Sequence, residues 1–568
     1  MSSPRLRVQF EKLFEHFDGK DSDIQLEEVT EILFCTRRNA RIVLNKLEEE
    51  GWIEWHPAAG RGNLSQLVFK RNRQDVSENL ARRYLEEGKI GQALNVLDRD
   101  TGKLSKVIEG YLGVQHVEGA QVIRLPYYRP LSMLNPTKQH RRSEQHIIHQ
   151  VFSGLTRLDE NEQIQPDLAH TWEAISDIHW RFYLRKGVRF HNGNSLQTAH
   201  VVDSINRIKT NTLFSHIESV SSPAPLIIDI HLNSSDWHFP LLLCEASAKI
   251  MPPEEWQTEE FDLQPIGTGP YRVEVNNDKK LVLEVFDGYF GYRPLVDKVE
   301  VWVINDAYSA MVFPSLSNPI PPHNSSADDV ELDPGCTYLL LNRKRGLLKD
   351  DNWARYLVSK LNSFSLFKTL PEQTIIDMGL LPATGLKPGW QHMLRNNTTA
   401  VEKPGTSKFT LAYHAMHPVF PAMVKSISKL LEQDGHQVDL VKYDYKLDVP
   451  DNVDIWFKPM GIGTNRDDAL AAWLLDYSDI NKMSQPDTFT QWHKLIEDWR
   501  SKKDEPFPSK QLGLSLSEHY QIIPMFHCWL GVSKDHCGTL QNARCNALGW
   551  FDFSKVWVKP EVTGDTER

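Results

Sequence analysis

Three arginines stand close together in one short segment, at Arg37, Arg38 and Arg41, and Asn45 follows them at helical spacing. A guanidinium group donates hydrogen bonds to phosphate oxygens or to the edge of a guanine, and an asparagine amide can pair with adenine. These side chains are therefore candidates for contact with a nucleic acid. To act together they must share one face of one element, and Thr36 is a suitable N-cap for a helix that begins after it.

The apolar positions of this predicted helix determine which of its side chains stay exposed. Its apolar residues fall within an arc of about 100° on a helical wheel and predict a buried face of Ala40, Val43, Leu44 and Leu47. The opposite face would lie in the major groove of double-stranded DNA. The candidate DNA-binding residues on that face are Arg38, Arg41, Ile42 and Asn45, with Arg37 at its N-terminal edge.

Two helical patterns precede this segment and a hairpin pattern follows it. Apolar residues recur at helical spacing over 6–17 and over 26–33, and strand-like runs at 52–55 and 64–69 surround a turn-rich loop. Three helices and a hairpin predict a winged helix-turn-helix, in which Arg61 of the loop would reach a neighbouring phosphate or the minor groove. Residues 1–73 hold twelve basic and twelve acidic residues. The prediction therefore rests on the arginine face and on the order of elements, since the charge balance does not support it.

The remainder of the chain predicts a different architecture. We place the winged helix-turn-helix at 1–74 and a helical connector at 75–117, and from 118 to 568 short strands alternate with helices, as in an α/β domain. A proline-rich break at 314–335 divides this domain into two lobes. Lobe I is predicted at about 118–313 and 516–568, and lobe II, with mainly parallel strands, at about 336–515.

The ends of three predicted strands suggest where a small molecule would bind. Ligands of open α/β sheets bind outside the carboxyl ends of strands, in the crevice between two halves. Cations at these ends suit an anionic group such as phosphate, and aromatic rings suit the face of a sugar. The candidate ligand-binding residues are Tyr128, Arg129, Tyr413, His414, Trp456 and Lys458.

Composition narrows the class of protein. The 568 residues carry 64 basic and 75 acidic side chains, a net charge of −11, so any contact with DNA must come from a local patch. No apolar run approaches the length that crosses a bilayer, and the N-terminus lacks the apolar stretch of a secretory signal. We therefore expect a cytoplasmic protein without membrane association, whose six cysteines are free thiols.

Signals for metal binding or catalysis fail on spacing. His146 and His149 are three residues apart, as are His414 and His417, and neither pair has the arrangement of a zinc protease. The His-Cys pair at 527–528 recurs at 536–537 without any standard zinc spacing, and no Gly-x-Ser-x-Gly elbow occurs. We expect no metal, no cofactor and no enzymatic activity.

Longer motifs in the α/β region carry a resemblance to a known family. Gln165-Pro-Asp-Leu-Ala-His-Thr-Trp172, the run from Trp180 to Gly193 and Thr198-Ala-His-Val-Val-Asp-Ser204 strongly resemble the signature of family 5 extracellular solute-binding proteins, which bind peptides or nickel. The segments at 265–272 and 289–296 match later parts of the same signature, in order. The resemblance implies a two-lobed α/β periplasmic-binding-protein-like domain of type II that closes on a ligand.

The combination of domains resembles a second, narrower family. A winged helix, a helical connector and a solute-binding-like region without an export signal look like the SgrR family of transcriptional regulators. That resemblance implies a regulator that senses a sugar phosphate, activates stress-response genes and acts on double-stranded DNA, with RNA polymerase as a further candidate partner. The alternative from the residues is a cytoplasmic module that binds a peptide or sugar and has no transcriptional role. Site-specific DNA binding would separate the two.

Overall fold

The computed structural model describes most of the chain in two compact units. One unit runs to Leu112, and the other consists of residues 113–303 and those from 330 onward. The described residues are 4–58, 63–86, 89–96, 107, 111–117, 119–304, 330–377, 379–391, 401–415, 417, 419–443, 452–476, 479–531 and 539–560.

The first unit opens with the three predicted helices, α1 (Pro4–His16), α2 (Leu26–Ile32) and α3 (Arg37–Glu49). Strands β2 (Ile53–His56) and β3 (Ser65–Phe69) form the predicted hairpin. Phe10, Leu13, Val29, Leu44 and Leu47 are among the side chains that form one buried core under this sheet, which is why the helical spacing was visible in the sequence.

Two features of this unit were not predicted. Strand β1 (Ser22–Ile24) pairs antiparallel with β3 and makes the sheet three-stranded, but three residues are too few for a visible alternation. The predicted connector at 75–117 contains helices α4 (Arg73–Glu86) and α5 (Ile90–Val96). Its last residues form strand β4 (Gly113–Val117), which pairs with β5 of the second unit's sheet, so the connector is not helical throughout.

The second unit begins with a five-stranded sheet in the order β12-β13-β14-β5-β4. The long strand β5 (Ala120–Tyr127) runs parallel to β14 (Lys298–Val303), while the other pairs are antiparallel. Helix α6 (Arg142–Val151) packs on it, and Trp550, Phe551 and Phe553 from near the C-terminus complete its core. A separate four-stranded sheet, β10-β11-β9-β8, follows in the same part of the chain. We call this part lobe I.

Lobe II is built on a seven-stranded sheet with a core on each face. Along strand β16 (Thr337–Leu341), Leu339 and Leu341 enter one core, whereas Tyr338 and Leu340 enter the other. Strands β18 (Lys408–His414) and β20 (Ile455–Pro459) alternate in the same way. This two-residue period decides which strand residues can share a site.

Two expectations for the lobes need correction. Among the described strands, lobe II is not mainly parallel: β18 pairs in parallel with β19 (Gln437–Tyr443) and with β20, whereas the other four pairs of this sheet are antiparallel. Strand β21 (Ile522–Gly531) lies in this sheet, so the chain returns to lobe I after Gly531 and not at 516. Local patterns indicate strands but not their partners, which is why direction and boundary were missed.

The remaining elements complete the two units. The remaining strands are β6 (Thr156–Leu158), β7 (Ile164–Pro166), β8 (Ala169–Ser176), β9 (His179–Leu184), β10 (Ile217–Ser221), β11 (Ile227–Leu232), β12 (Tyr271–Asn276), β13 (Lys280–Val285), β15 (Val330–Leu332), β17 (Leu380–Pro382), β22 (Leu540–Gln541) and β23 (Trp557–Val558). The remaining helices are α7 (Thr198–Ile208), α8 (Phe239–Leu242), α9 (Glu259–Leu263), α10 (Asp351–Lys360), α11 (Ser363–Phe367), α12 (Glu372–Asp377), α13 (Phe420–Glu432), α14 (Ala469–Leu475), α15 (Asp479–Met483), α16 (Pro486–Arg500) and α17 (Ser509–Glu518), with short 3₁₀ turns at 212–214, 246–248 and 347–349.

Candidate functional site

Helix α3 has the two faces that the sequence predicts. The Thr36 side chain accepts a hydrogen bond from the Asn39 backbone N–H at 3.4 Å and caps its N-terminus. Its apolar residues Ala40, Val43, Leu44 and Leu47 are buried. The exposed side carries all the candidate residues of the helix, Arg37, Arg38, Arg41, Ile42 and Asn45. The geometry therefore presents three cations and an amide together to solvent.

The arginines of this face differ in their surroundings. Arg37 forms an ion pair with Glu27 of α2, which partly neutralises it. Arg38 and Arg41 are exposed, and no hydrogen bond or ion pair to another described residue involves them, so both guanidinium groups are available for an anion. Arg61, the candidate in the wing loop, lies outside the described residues.

The second candidate site lies where the strand ends of the two lobes meet. Tyr128 follows β5 of lobe I, His417 follows β18 of lobe II, and the centroids of their rings are 6.5 Å apart. From lobe I, the Gln139 amide donates a hydrogen bond to the Asp479 carboxylate of lobe II at 3.0 Å. We call the following set the junction cluster: Tyr128, Arg129, Arg141, His414, His417, Tyr443, Trp456, Lys458 and Asp479.

Arg129 is held within lobe I through its two terminal nitrogens, whereas its Nε has no hydrogen-bond partner among the described residues. Its guanidinium pairs through two nitrogens with the Glu144 carboxylate and donates to the Pro130 carbonyl at 3.0 Å, and both members of the pair are buried. Burial opposes the charge on Glu144, but Arg129 outweighs it and lowers the pKa of that carboxyl. Arg129 therefore contributes a fixed positive field at the junction cluster, and its hydrogen bonds are directed at Glu144.

Lys458 is held in a similar way on lobe II. Its ammonium group lies 4.0 Å from the centroid of the Trp456 ring and forms an ion pair with Asp479. Burial opposes ionisation of Asp479, yet Lys458 lowers the pKa of this carboxyl overall. Both predicted cations thus have a carboxylate partner, so an entering anion would compete with one that is already bound.

His414 is buried without a partner for either ring nitrogen among the described residues. Burial, together with the nearby guanidinium groups of Arg141 and Arg129, lowers the pKa of His414 to about 2. The same causes, with Arg129 the leading charge, lower the pKa of His417 to about 3. Both imidazoles are therefore neutral at physiological pH. Tyr443 packs against His414 with ring centroids 5.6 Å apart, and burial raises its pKa to about 12.

The structure brings together Tyr128, His414, Trp456 and Lys458 but separates Tyr413 from them. Strand alternation turns Tyr413 toward the core that contains Phe409 and Leu411, where it is 4% exposed. Sequence reasoning missed Arg141, His417, Tyr443 and Asp479. The strand-end rule that selected Tyr413 could have found Tyr443, because β19 is parallel to β18 and Tyr443 stands opposite His414.

The described part of the chain contains neither a cluster of metal ligands nor a helix that could span a membrane. No group of three or more His, Cys, Asp or Glu side chains in the described part of the chain could hold a metal ion. Among the same residues, no helix has the length and apolarity to cross a bilayer. The five cysteines that can be described, Cys35, Cys244, Cys336, Cys528 and Cys545, are free thiols.

Solved structures with a similar fold are solute-binding proteins. The ABC transporter-associated periplasmic binding protein DppA of Helicobacter pylori, in complex with the peptide STSA, has a TM-score of 0.63 at 17% identity, and the match covers 77% of this chain and 98% of that protein. The murein tripeptide binding protein MppA of Escherichia coli has a TM-score of 0.61 at 16% identity, with 78% and 99% covered. The family model for the middle of bacterial extracellular solute-binding proteins of family 5 matches residues 163–320. The second unit thus has the fold of a family 5 solute-binding protein, and a unit of helices with a three-stranded sheet precedes it in the chain.

Sequence relatives are similar over nearly the whole chain. The HTH-type transcriptional regulator SgrR of Yersinia pseudotuberculosis is 33% identical over 565 residues, which cover 99% of this chain and 100% of that protein. SgrR of Pectobacterium atrosepticum is 35% identical over 564 residues, with the same coverage. The model for the N-terminal domain of sugar transport-related small RNA regulators matches residues 5–119. The chain belongs to the SgrR family of transcriptional regulators.

Family membership decides between the two functions left open by the residues. The chain is a transcriptional regulator with a solute-binding-like domain, and the alternative of a binding module without a transcriptional role is not supported. Neither the relatives nor the fold neighbours belong to an enzyme class, in agreement with the sequence prediction.

Proposed function

We propose that this regulator binds double-stranded DNA through α3 and responds to a small metabolite bound at the junction cluster. The observation that carries the first part is the exposed pair Arg38 and Arg41 on a helix whose other face is buried. Ile42 and Asn45 are exposed on the same side of the helix. Cationic, apolar and amide groups would therefore face the same groove. Arg37 and Arg61 would add contacts to phosphates at the edge of this face.

For the ligand we propose a sugar phosphate. Arg129, Arg141 and Lys458 give the junction cluster a positive field, while Tyr128, Tyr443 and Trp456 supply aromatic surface for a sugar ring. Tyr413 and His414 complete the set proposed from the sequence, with Tyr413 in a supporting position behind the strand. A peptide is the second candidate, since the structures of similar fold include proteins that bind peptides.

The same proposal states where the regulator acts and what ligand binding changes. We place it in the cytoplasm, where sugar phosphates accumulate and where DNA is accessible. Ligand binding would change transcription of stress-response genes through DNA affinity or through contact with RNA polymerase.

A map of chromosomal sites bound by the tagged full-length protein tests the DNA-binding part. We expect a small number of specific sites near promoters, with occupancy or transcript level that changes when the cells accumulate glucose 6-phosphate. The Arg38→Ala/Arg41→Ala double variant, expressed at the same level, should lose these sites. Equal occupancy by this variant and the wild type would overturn the assignment of α3.

A further inference from the structure

His414 differs from the other buried histidines of the described chain. His436 pairs with the Tyr356 hydroxyl at 2.9 Å and the Ser407 N–H at 3.2 Å, and His527 pairs with the Gly335 carbonyl at 2.8 Å. His146 and His216 also have a partner each. His414 is 6% exposed, and neither of its ring nitrogens has a hydrogen-bond partner among the residues that the structure describes.

A buried polar group without a partner is unfavourable for folding, and such groups in native proteins usually have a functional explanation. The position of His414 supplies one. It is the last residue of β18, at the carboxyl end of a strand with parallel neighbours on both sides, which is where ligands of α/β sheets bind. On the same face, the indole N–H of buried Trp456 also has no partner among the described residues.

The groups around His414 define the chemistry that fits it. Arg129 and Lys458 already form ion pairs with carboxylates. The two groups without a partner, the His414 imidazole and the Trp456 indole, are uncharged and offer hydrogen bonds only. A neutral imidazole has one donor and one acceptor, and the Trp456 indole is a donor. A hydroxyl group both accepts and donates, and it can therefore satisfy the imidazole without bringing a charge into this buried place. The adjoining Tyr443 and Trp456 rings give the carbon skeleton of such a ligand an apolar surface.

We propose that His414 determines ligand specificity by binding a hydroxyl group, so that this domain selects polyhydroxylated metabolites over peptides. The inference rests on the proposed function in that it takes the junction cluster as the ligand site. It adds the class of chemical group that is recognised and the residue that recognises it.

The first test measures stability without ligand and affinity with it, on the full chain. Because Phe fills a similar volume without an unpaired nitrogen, we expect His414→Phe to melt at the same temperature as the wild type or higher. Its affinity for glucose 6-phosphate, measured by calorimetry, should fall at least tenfold. His414→Gln, which keeps one donor and one acceptor, should retain more affinity than His414→Phe.

The matched control is His436→Phe, also in lobe II. Since it removes the acceptor of the Ser407 N–H and one of the two partners of the Tyr356 hydroxyl, the other being Asp434, it should melt at a lower temperature but bind glucose 6-phosphate within about twofold of the wild type. A clear loss of thermal stability in His414→Phe would mean that His414 has a structural role, and unchanged affinity would mean that it does not touch the ligand. Either result overturns the proposal.

A second test identifies the hydroxyl group. Among monodeoxy analogues of glucose 6-phosphate, we expect at least one to bind the wild type tenfold more weakly than glucose 6-phosphate does. His414→Phe should bind that analogue and glucose 6-phosphate with equal affinity. Trialanine should not bind. If the wild type binds trialanine but not glucose 6-phosphate, the proposal of a sugar-phosphate ligand is wrong, and so is the proposed preference for hydroxyl groups. If glucose 6-phosphate binds and every deoxy analogue behaves alike in both proteins, only the role of His414 is wrong.

Discussion

At the scale of the residue, Arg129 and Arg38 show two uses of the same side chain. Arg129 is 2% exposed and committed to Glu144, and a buried pair of this kind is costly to break because one charge would remain without compensation. Arg38 is exposed on α3 with no partner among the described residues. Arg129 contributes to the electrostatic field of the junction cluster. Arg38 is available for contact with a further anion or acceptor, which a DNA phosphate or base would provide.

We expect Arg38→Ala and Arg41→Ala each to weaken specific DNA binding by about 1–3 kcal/mol if they contact bases. The loss should then be larger on the operator than on random DNA of the same length, as measured by fluorescence anisotropy at fixed salt. Lys20→Ala, which removes an exposed cation from outside α3, is the control and should leave specificity unchanged. An equal loss on both DNAs would assign the arginines to phosphates.

Two carboxyl groups make a pH dependence of stability predictable. Burial, and then Asp476, raises the pKa of Glu245 to about 8, and burial raises the pKa of Asp476 to about 6. In the unfolded chain both groups titrate near pH 4, so between about pH 4 and pH 8 the folded protein binds more protons. Stability from these groups is therefore fully present below about pH 4 and falls as the pH rises, up to about pH 6 for Asp476 and about pH 8 for Glu245.

Glu245→Gln should reduce this loss. We expect the difference in melting temperature between pH 5.5 and pH 8.5 to be smaller in the variant than in the wild type, with the variant more stable at pH 8.5. Glu160→Gln, at an exposed turn, is the matched control and should follow the wild type. If Glu245→Gln has the same pH profile as the wild type, the carboxyl is not perturbed in this way.

At the scale of the element, the start of α3 and the alternation of β18 decide what each site contains. The Thr36 cap fixes where α3 begins and hence which residues are exposed. In β18, Tyr413 and His414 are consecutive, so they point to opposite faces and only one can belong to the junction cluster. Sequence reasoning placed both at the site because it located the strand end without knowing which face was inward.

Thr36→Ala should loosen α3 without changing any residue of its exposed arginine face. Loss of an N-cap costs about 0.5–2 kcal/mol, which corresponds to an increase of about 2- to 30-fold in amide exchange for residues in the helix. Hydrogen exchange followed by mass spectrometry on peptides within Arg37–Glu49 measures this directly. Thr36→Ser keeps the hydroxyl oxygen and should exchange like the wild type; similar exchange in all three proteins would show that the cap does not stabilise α3.

At the scale of the whole molecule, regulation through DNA affinity requires that ligand and DNA each change the affinity for the other. A ligand can alter DNA affinity only if it binds two states of the protein differently, and a tenfold change needs about 1.4 kcal/mol of such difference. We expect glucose 6-phosphate to change operator affinity, and operator DNA to change ligand affinity by the same factor. Calorimetry and anisotropy on the full chain measure both sides of this cycle.

The control for this coupling is His414→Phe, which should bind operator DNA with unchanged affinity in the absence of ligand and should need at least tenfold more glucose 6-phosphate for the same change in that affinity. If the wild-type protein has equal DNA affinity with and without saturating glucose 6-phosphate, and the converse also holds, control lies in a later step such as contact with RNA polymerase.

The sequence by itself determined the three helices and the hairpin of the N-terminal unit, the buried and exposed faces of α3, and the family, because helical spacing, capping residues and long motifs are properties of neighbouring residues. It also placed strand ends near Tyr128 and Tyr413. Only the tertiary structure decided that Arg129 and Lys458 have carboxylate partners, that Tyr413 faces the core and that His414 stands unpaired beside Tyr443. Glu144 is fifteen residues from Arg129 and Asp479 is twenty-one from Lys458. Such pairings depend on how separate elements pack against one another, and no pattern within a single element encodes them.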